Sequence, residues 1–155
     1  MNQKSSLRRT TVGAIRADVL AYTAGRDAEL DADLVAADCI GSAAHVTMLA
    51  ALPLKPRLFS ARDRDRVLAA LGGILGRARR GAFRITLRDQ DVHLAVEREL
   101  TRQLGPLGRK IHTGRSRNDQ VAVDLRLFAK EQLLGTLSDT LRLALALLAL
   151  ARRHK

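Results

Sequence analysis

Apolar positions along this chain recur mostly at steps of three and four, the period of an amphipathic helix. From residue 28 to about 52, Leu30, Leu34, Ala37, Gly41, Ala44, Met48 and Leu52 mark one such face. A turn over 22–27 precedes it, with Asp27 as the expected N-cap. Pro53 and Pro56 end it, because proline lacks the N–H that a continuing helix needs. Ser60 followed by Asp63 predicts a capping box with the shorter acid, opening a helix over 61–79 with Val67, Leu71, Ile74 and Ala78 inward. Gly72, Gly73 and Gly76 each weaken that helix by about 1 kcal/mol relative to alanine, so its neighbours must hold it.

Phe83, Ile85 and Leu87 alternate with Arg84, Thr86 and Arg88, which is a strand period. With no partner strand in sight, the segment predicts an extended connector. Asp89 is the expected cap of a helix over 90–104 with Val92, Val96, Leu100 and Leu104 inward. Gly105-Pro106 stops it, and 107–117 predicts a loop. The last helix, from about 119 to 152 with Asn118 or Asp119 as cap, carries Val121, Leu125, Phe128, Leu134, Leu137, Leu141, Ala144 and Leu148 at helical spacing. At roughly 50 Å it outruns a compact domain of this size, so its stripe calls for helices from elsewhere. Residues 1–22 are polar and basic with weak periodicity, and predict an irregular or loosely helical segment. The fold class is all-α.

Composition narrows the function. At 155 residues the chain can bury one core of its own. Lys plus Arg number 27 against 16 Asp plus Glu, a net charge of +11, which suits acidic metabolites or polyanions. The charge is spread along the chain, and with no Trp, one Tyr and three Phe no base-stacking platform is visible, so nucleic acid is not the expected partner. Cys39 is alone, which excludes an intrachain disulfide or a multi-cysteine metal site. Residues 1–16 lack the apolar stretch of a secretory signal, and the most apolar segment, 141–151, includes Arg142 and is too short to span a bilayer. A soluble, cytoplasmic protein without a membrane partner is the expectation. Neither metal-ligand spacing nor a glycine-rich nucleotide loop is present, so no metal and no cofactor are expected.

The chemistry concentrates in His112-Thr113-Gly114-Arg115-Ser116-Arg117-Asn118-Asp119-Gln120. A loop of hydroxyl, guanidinium and amide donors on a helix N-terminus suits carboxylate or phosphate, since unpaired N–H groups and the helix dipole both favour negative charge there. Arginine adds planar two-pronged donors. Read without that chemistry, the same residues are a polar turn capping a helix.

The run from His112 to Phe128 resembles the signature of argininosuccinate lyase, within the fumarase/aspartase superfamily. Three further stretches are similar to the same family, in family order. They are Tyr22-Thr23-Ala24-Gly25-Arg26-Asp27 with Leu30-Asp31, Asp38 and Gly41-Ser42-Ala43-Ala44-His45; then Leu58-Phe59-Ser60; then Asp89-Gln90-Asp91-Val92-His93 with Glu97, where Gln90 replaces the usual acid. The resemblance implies a small N-terminal helical domain over 1–113, then the donor loop and the first long helix of a central helical bundle over 114–155. It also implies a homotetramer whose active sites each draw on three subunits, and the reversible elimination of argininosuccinate to arginine and fumarate in arginine biosynthesis.

Such an elimination passes through an aci-carboxylate, whose developing charge needs fixed donors. By resemblance Ser116, Arg117 and Asn118 supply them, with Arg115 and Thr113 contacting substrate or holding the loop. Asp91, His93 and His112 are expected to orient or support. The family's general acid and base lie in later Thr-x-x-Gln-x-Ala-x-Pro and Gly-Ser-Ser-x-Met-Pro segments that do not occur here, so no catalytic acid or base is expected in these residues, and a fragment inactive alone. His45 and Cys39 are expected to be packed helix residues. Two other readings stay open: a non-catalytic helical oligomerisation module, and a basic module that binds polyanions.

Overall fold

A computed structural model describes residues 7–10 and 13–154. It opens on an antiparallel hairpin, β1 (Leu7–Thr10) and β2 (Gly13–Arg16), in register from Leu7 opposite Arg16 to Thr10 opposite Gly13. A helix α1 (Ala17–Ala24) follows. The expected irregular segment over 1–22 is therefore ordered where it is described, and residues 1–6, 11 and 12 lie outside the described ones. A ladder built from backbone N–H and C=O needs no apolar period, which is why the pattern missed it.

The predicted helix over 28–52 divides into α2 (Asp27–Leu30), a 3-10 turn (Asp31–Leu34) and α3 (Val35–Ala51). Asp27 is the first helical residue and not its cap; Arg26 holds the cap position without a side-chain hydrogen bond. The buried face overlaps the expected one at Ala37 and Gly41 but is rotated from it elsewhere. Val35, Asp38, Cys39, Ser42, Val46 and Leu49 turn inward, while Leu30 and Met48 are exposed. Leu52 is extended ahead of Pro53, as the proline requires.

Ser60 caps α4 (Ala61–Arg79) as predicted, its Oγ accepting from the Asp63 N–H at 3.1 Å. Residues 82–86 form the extended connector, with Phe83 and Ile85 packed on the core. The next cap is Asp91, not Asp89: Asp91 Oδ1 accepts from the Leu94 N–H at 2.8 Å and opens α5 (Val92–Leu104). Asp89 is buried two residues earlier, accepting from the N–H and hydroxyl of Thr86, both at 2.8 Å, and from Arg98. Between the two aspartates Gln90 sits at φ +69°, a left-handed conformation that costs a side-chain-bearing residue about 1 kcal/mol.

The core lies between α3, α4 and α5, with Phe59 and Ile111 closing it. Glu99 ties α5 to α4: it accepts from Arg102, Gln103 and Arg77, at 2.8, 2.8 and 2.6 Å, and Arg102 leads in holding its carboxyl down to about 2. The stretch expected as loop over 107–117 starts as a short helix α6 (Pro106–Arg109) and a 3-10 turn (Lys110–His112). Gly108 makes this possible, since a Cβ there would stand 2.5 Å from the Leu100 carbonyl carbon.

The last helix, α7 (Arg117–Arg153), begins two residues earlier than predicted and is capped by Ser116. Its 37 residues extend about 55 Å. Only Gln120 and Asp124 are buried, against α3, whereas Leu134, Leu137, Leu141 and Leu148 are exposed. The inward face is thus polar and the predicted apolar stripe faces outward. The apolar run also reaches beyond 141–151: by length and composition the helical stretches 27–51 and 117–153 could each cross a bilayer, although the first is a partly buried core helix.

Two glycine substitutions test this packing in opposite directions. Gly108→Ala should lower the unfolding free energy by about 1–3 kcal/mol or more, because backbone would have to move. Gly72→Ala, with open space around its Cβ in a helix interior, should raise it by up to about 1 kcal/mol. Urea unfolding of both variants checks the pair.

Candidate active site

The donor loop is set by its two ends. Gly108 seats α6 on α5, and Gly114, at φ +72°, turns the chain into α7. Thr113 closes the turn, its hydroxyl donating to the Lys110 carbonyl at 2.7 Å. His45 of α3 reaches across, its Nε2–H donating to the Thr113 carbonyl at 3.0 Å. Burial lowers the pKa of that imidazole. Ser116 then makes a reciprocal capping box: its Oγ accepts from the Asn118 N–H at 3.2 Å, and its own N–H donates to Asp119 Oδ2 at 3.0 Å. The N-cap was expected at Asn118 or Asp119. With Ser116 taking it, the Asn118 amide is exposed on the first turn and makes no side-chain hydrogen bond among the described residues.

Arg117 is ion-paired to Asp91, the cap of α5. Both line a cavity of about 500 Å³ with Thr23, Asp27, Asp31 and Gln90, over a floor of Leu34, Val121 and Leu125. Asp31 accepts from the Val92 N–H at 2.9 Å, and burial raises its carboxyl despite that bond. One recess therefore holds three carboxylates and one guanidinium. Of the five predicted donors only Arg117 lines it; Ser116 and Asn118 are exposed on the adjoining helix tip, and Thr113 lies further back in the loop.

Behind the loop the polar side chains are packed away. His112 is mostly buried, its ring centroid 4.1 Å from that of His93. Burial first, then His93, Arg115 and His45, push its pKa down to about 3, so it is neutral near pH 7. Its Nδ1 faces Arg115 Nη2 at 3.4 Å and can only accept there, which leaves the proton on Nε2, 3.4 Å from Glu97 Oε2. His93 donates from Nδ1 to Asp38 Oδ2 at 3.2 Å, across to α3 and not to the neighbouring Asp91. Arg115 is half-buried, and desolvation lowers its pKa. Cys39 is a buried thiol pushed up to about 12 by desolvation.

The sequence suggested no site role for Thr23, Asp31, Asp38, Gln120 or Asp124, made Asp27 a helix cap, and made His45 a packed helix residue. Asp27 and Asp31 stand four apart on one helical face, and Asp38 interrupts an apolar run. Those were the available signals. Burial of Gln120 and Asp124 had none, since on α7 they look like the solvent side.

The family profile described as Lyase matches residues 14–155. The argininosuccinate lyase of Phocaeicola vulgatus is 42% identical over 134 residues, covering 86% of this chain and 29% of that protein. The argininosuccinate lyase of Bacteroides thetaiotaomicron is 44% identical over 119 residues, 77% of this chain and 26% of its own length. The argininosuccinate lyase of a Synechococcus species is 43% identical over 125 residues, 81% and 26% respectively. The chain spans between a quarter and a third of the length of these relatives.

The buried groups fix how stability depends on pH. His112 takes a proton below 6.5 when unfolded but only near 3 when folded, so its contribution is lost as pH falls through that interval. Glu99 acts in the same direction between 4.5 and about 2. Asp124 acts oppositely: burial and then Asp38 raise it from 3.8 to about 8, so its contribution is full below 3.8 and lost as pH rises towards 8. A broad stability maximum between about pH 4 and 6.5 is expected, declining on both sides. Urea midpoints from pH 3 to 9 check it, and a monotonic rise from pH 5 to 8 would contradict the assignment.

Proposed function

This chain belongs to the lyase family, and from that premise we propose that it supplies the anion-receiving part of an argininosuccinate lyase, which eliminates arginine from argininosuccinate and releases fumarate in arginine biosynthesis. The observation that carries this reading is the cavity lined by Arg117, Asp27, Asp31 and Asp91, beside an exposed helix tip bearing Ser116 and Asn118. Argininosuccinate carries two carboxylates on its succinyl part, a guanidinium beside them, and an ammonium and a carboxylate at its amino-acid end. A recess holding both signs of charge suits such a molecule.

In this reading a base removes the proton beside a carboxylate, and the charge of the resulting aci-carboxylate grows on oxygen. Asn118 donates its amide N–H to that oxygen, Arg117 neutralises it, and the first-turn N–H groups of α7 add the helix dipole. Arg117 rests against Asp91, so a substrate carboxylate takes the guanidinium in competition with that aspartate. Thr113 and Arg115 hold the loop from behind, and His93 and His112 orient it. The general acid and base come from other polypeptide. Leu134, Leu137, Leu141 and Leu148, exposed along α7, supply the faces on which further helices of a homotetramer pack, with the N-terminal helical domain ending near 113. The assembled enzyme is soluble and cytoplasmic.

The test replaces the matching segment of the Phocaeicola vulgatus enzyme with this chain and follows fumarate by ultraviolet absorbance. The chimera is expected to turn over argininosuccinate, and Asn118→Ala to cut kcat by about 10²–10³-fold, the usual cost of losing one oxyanion donor. An assembled chimera that forms no fumarate, or an Asn118→Ala variant with unchanged kcat, rejects the proposal.

A further inference from the structure

We propose that Asp38 of α3 and Asp124 of α7 hold a single proton between them, and that this shared proton positions the donor loop by fastening the start of α7 to α3. Both side chains are fully buried. The Gln120 amide bridges them, its Nε2–H₂ donating to Asp38 Oδ2 and to Asp124 Oδ1, at 3.2 and 2.8 Å, and the same nitrogen lies 3.2 Å from the Asp38 carbonyl. His93 Nδ1–H donates to the same Asp38 Oδ2. Each carboxyl thus has one oxygen engaged, while Asp38 Oδ1 and Asp124 Oδ2 are buried without a partner among the described residues. Two ionised carboxylates cannot stay so close in a low-dielectric seam, and two neutral ones would leave a donor unused; one proton between the free oxygens satisfies both.

The groups facing this pair are few. Cys39 of α3 is a neutral thiol, His93 of α5 spends its Nδ1 proton on Asp38, and Arg115 of the loop is the nearby cation. Arg115 attracts both carboxyls yet makes no hydrogen bond to either; its Nη2 faces His112. Gln120 lies one helical turn from Ser116, and its N–H donates to the Ser116 carbonyl at 3.3 Å. Any movement of the seam is therefore transmitted directly to Ser116, Arg117 and Asn118. Burial, and then the charge of Asp38, raise Asp124 in agreement with this arrangement.

That the loop receives substrate rests on the functional reading above; the shared proton does not. The test is accordingly made on this chain without substrate, and fumarate formation is scored separately. With aspartate 13C-labelled at the side-chain carboxyl, one carboxyl resonance should titrate near pH 8. The Asn118 and Gly114 amide signals should move with the same midpoint. In Asp124→Asn, whose amide is a permanent donor to Asp38, the high midpoint should vanish and the loop signals should stay fixed through pH 9. If every aspartate of the folded chain titrates below pH 6, or the loop amides ignore the high titration, the proposal fails; the wild-type curves alone decide this should the variant not fold.

Discussion

The side-chain amide of Gln120, enclosed between α3 and α7, is the contact on which the geometry of the site depends. A buried amide leaves its polar atoms costly unless partners are aligned, so its position allows little freedom. It meets Asp38 and Asp124, and it can do so only because Gly41 leaves room: a Cβ there would lie 3.0 Å from Gln120 Nε2 and 3.3 Å from Val123. Apolar side chains would have held the two helices together with more tolerance for sliding. Hydrogen bonds fix register, and register is what a helix-tip site requires.

The donor loop of this strongly basic chain presents little free charge. Its cations are mostly tied down: Arg117 to Asp91, and Arg115 behind the loop against a neutral His112. The group left open is neutral and directional, the side-chain amide of Asn118, since the Asn118 backbone N–H is taken by Ser116. Such donors discriminate by geometry, whereas a free guanidinium attracts any anion.

The helix α7 divides into two physical regimes. Its first two turns are fastened by the capping box and the polar seam, and their neighbours come from this chain. Beyond Lys130 its leucines are exposed. A helix of this length that is apolar on several sides is a partner-seeking element. Its rigidity links whatever packs on the far end to the tip where Asn118 stands.

The chain by itself determined the elements whose cause is local. The helix cap at Ser60, the stop at Pro53, the connector through Phe83 and Ile85 and the inward rows of α4 and α5 follow from neighbouring residues, and each has a single-residue reason. The donor loop was legible too, as an ordered string of donors before a long apolar-periodic helix. Only tertiary structure decided which aspartate caps α5, which face of α3 turns inward, and that α7 meets α3 through Gln120 and Asp124. Those outcomes depend on what stands opposite: Asp89 is taken by Thr86 and Arg98, which leaves Asp91 to the helix and to Arg117. The hydrophobic period reports how much apolar surface a helix carries, not which neighbour will cover it, and a polar residue can be buried wherever partners satisfy it.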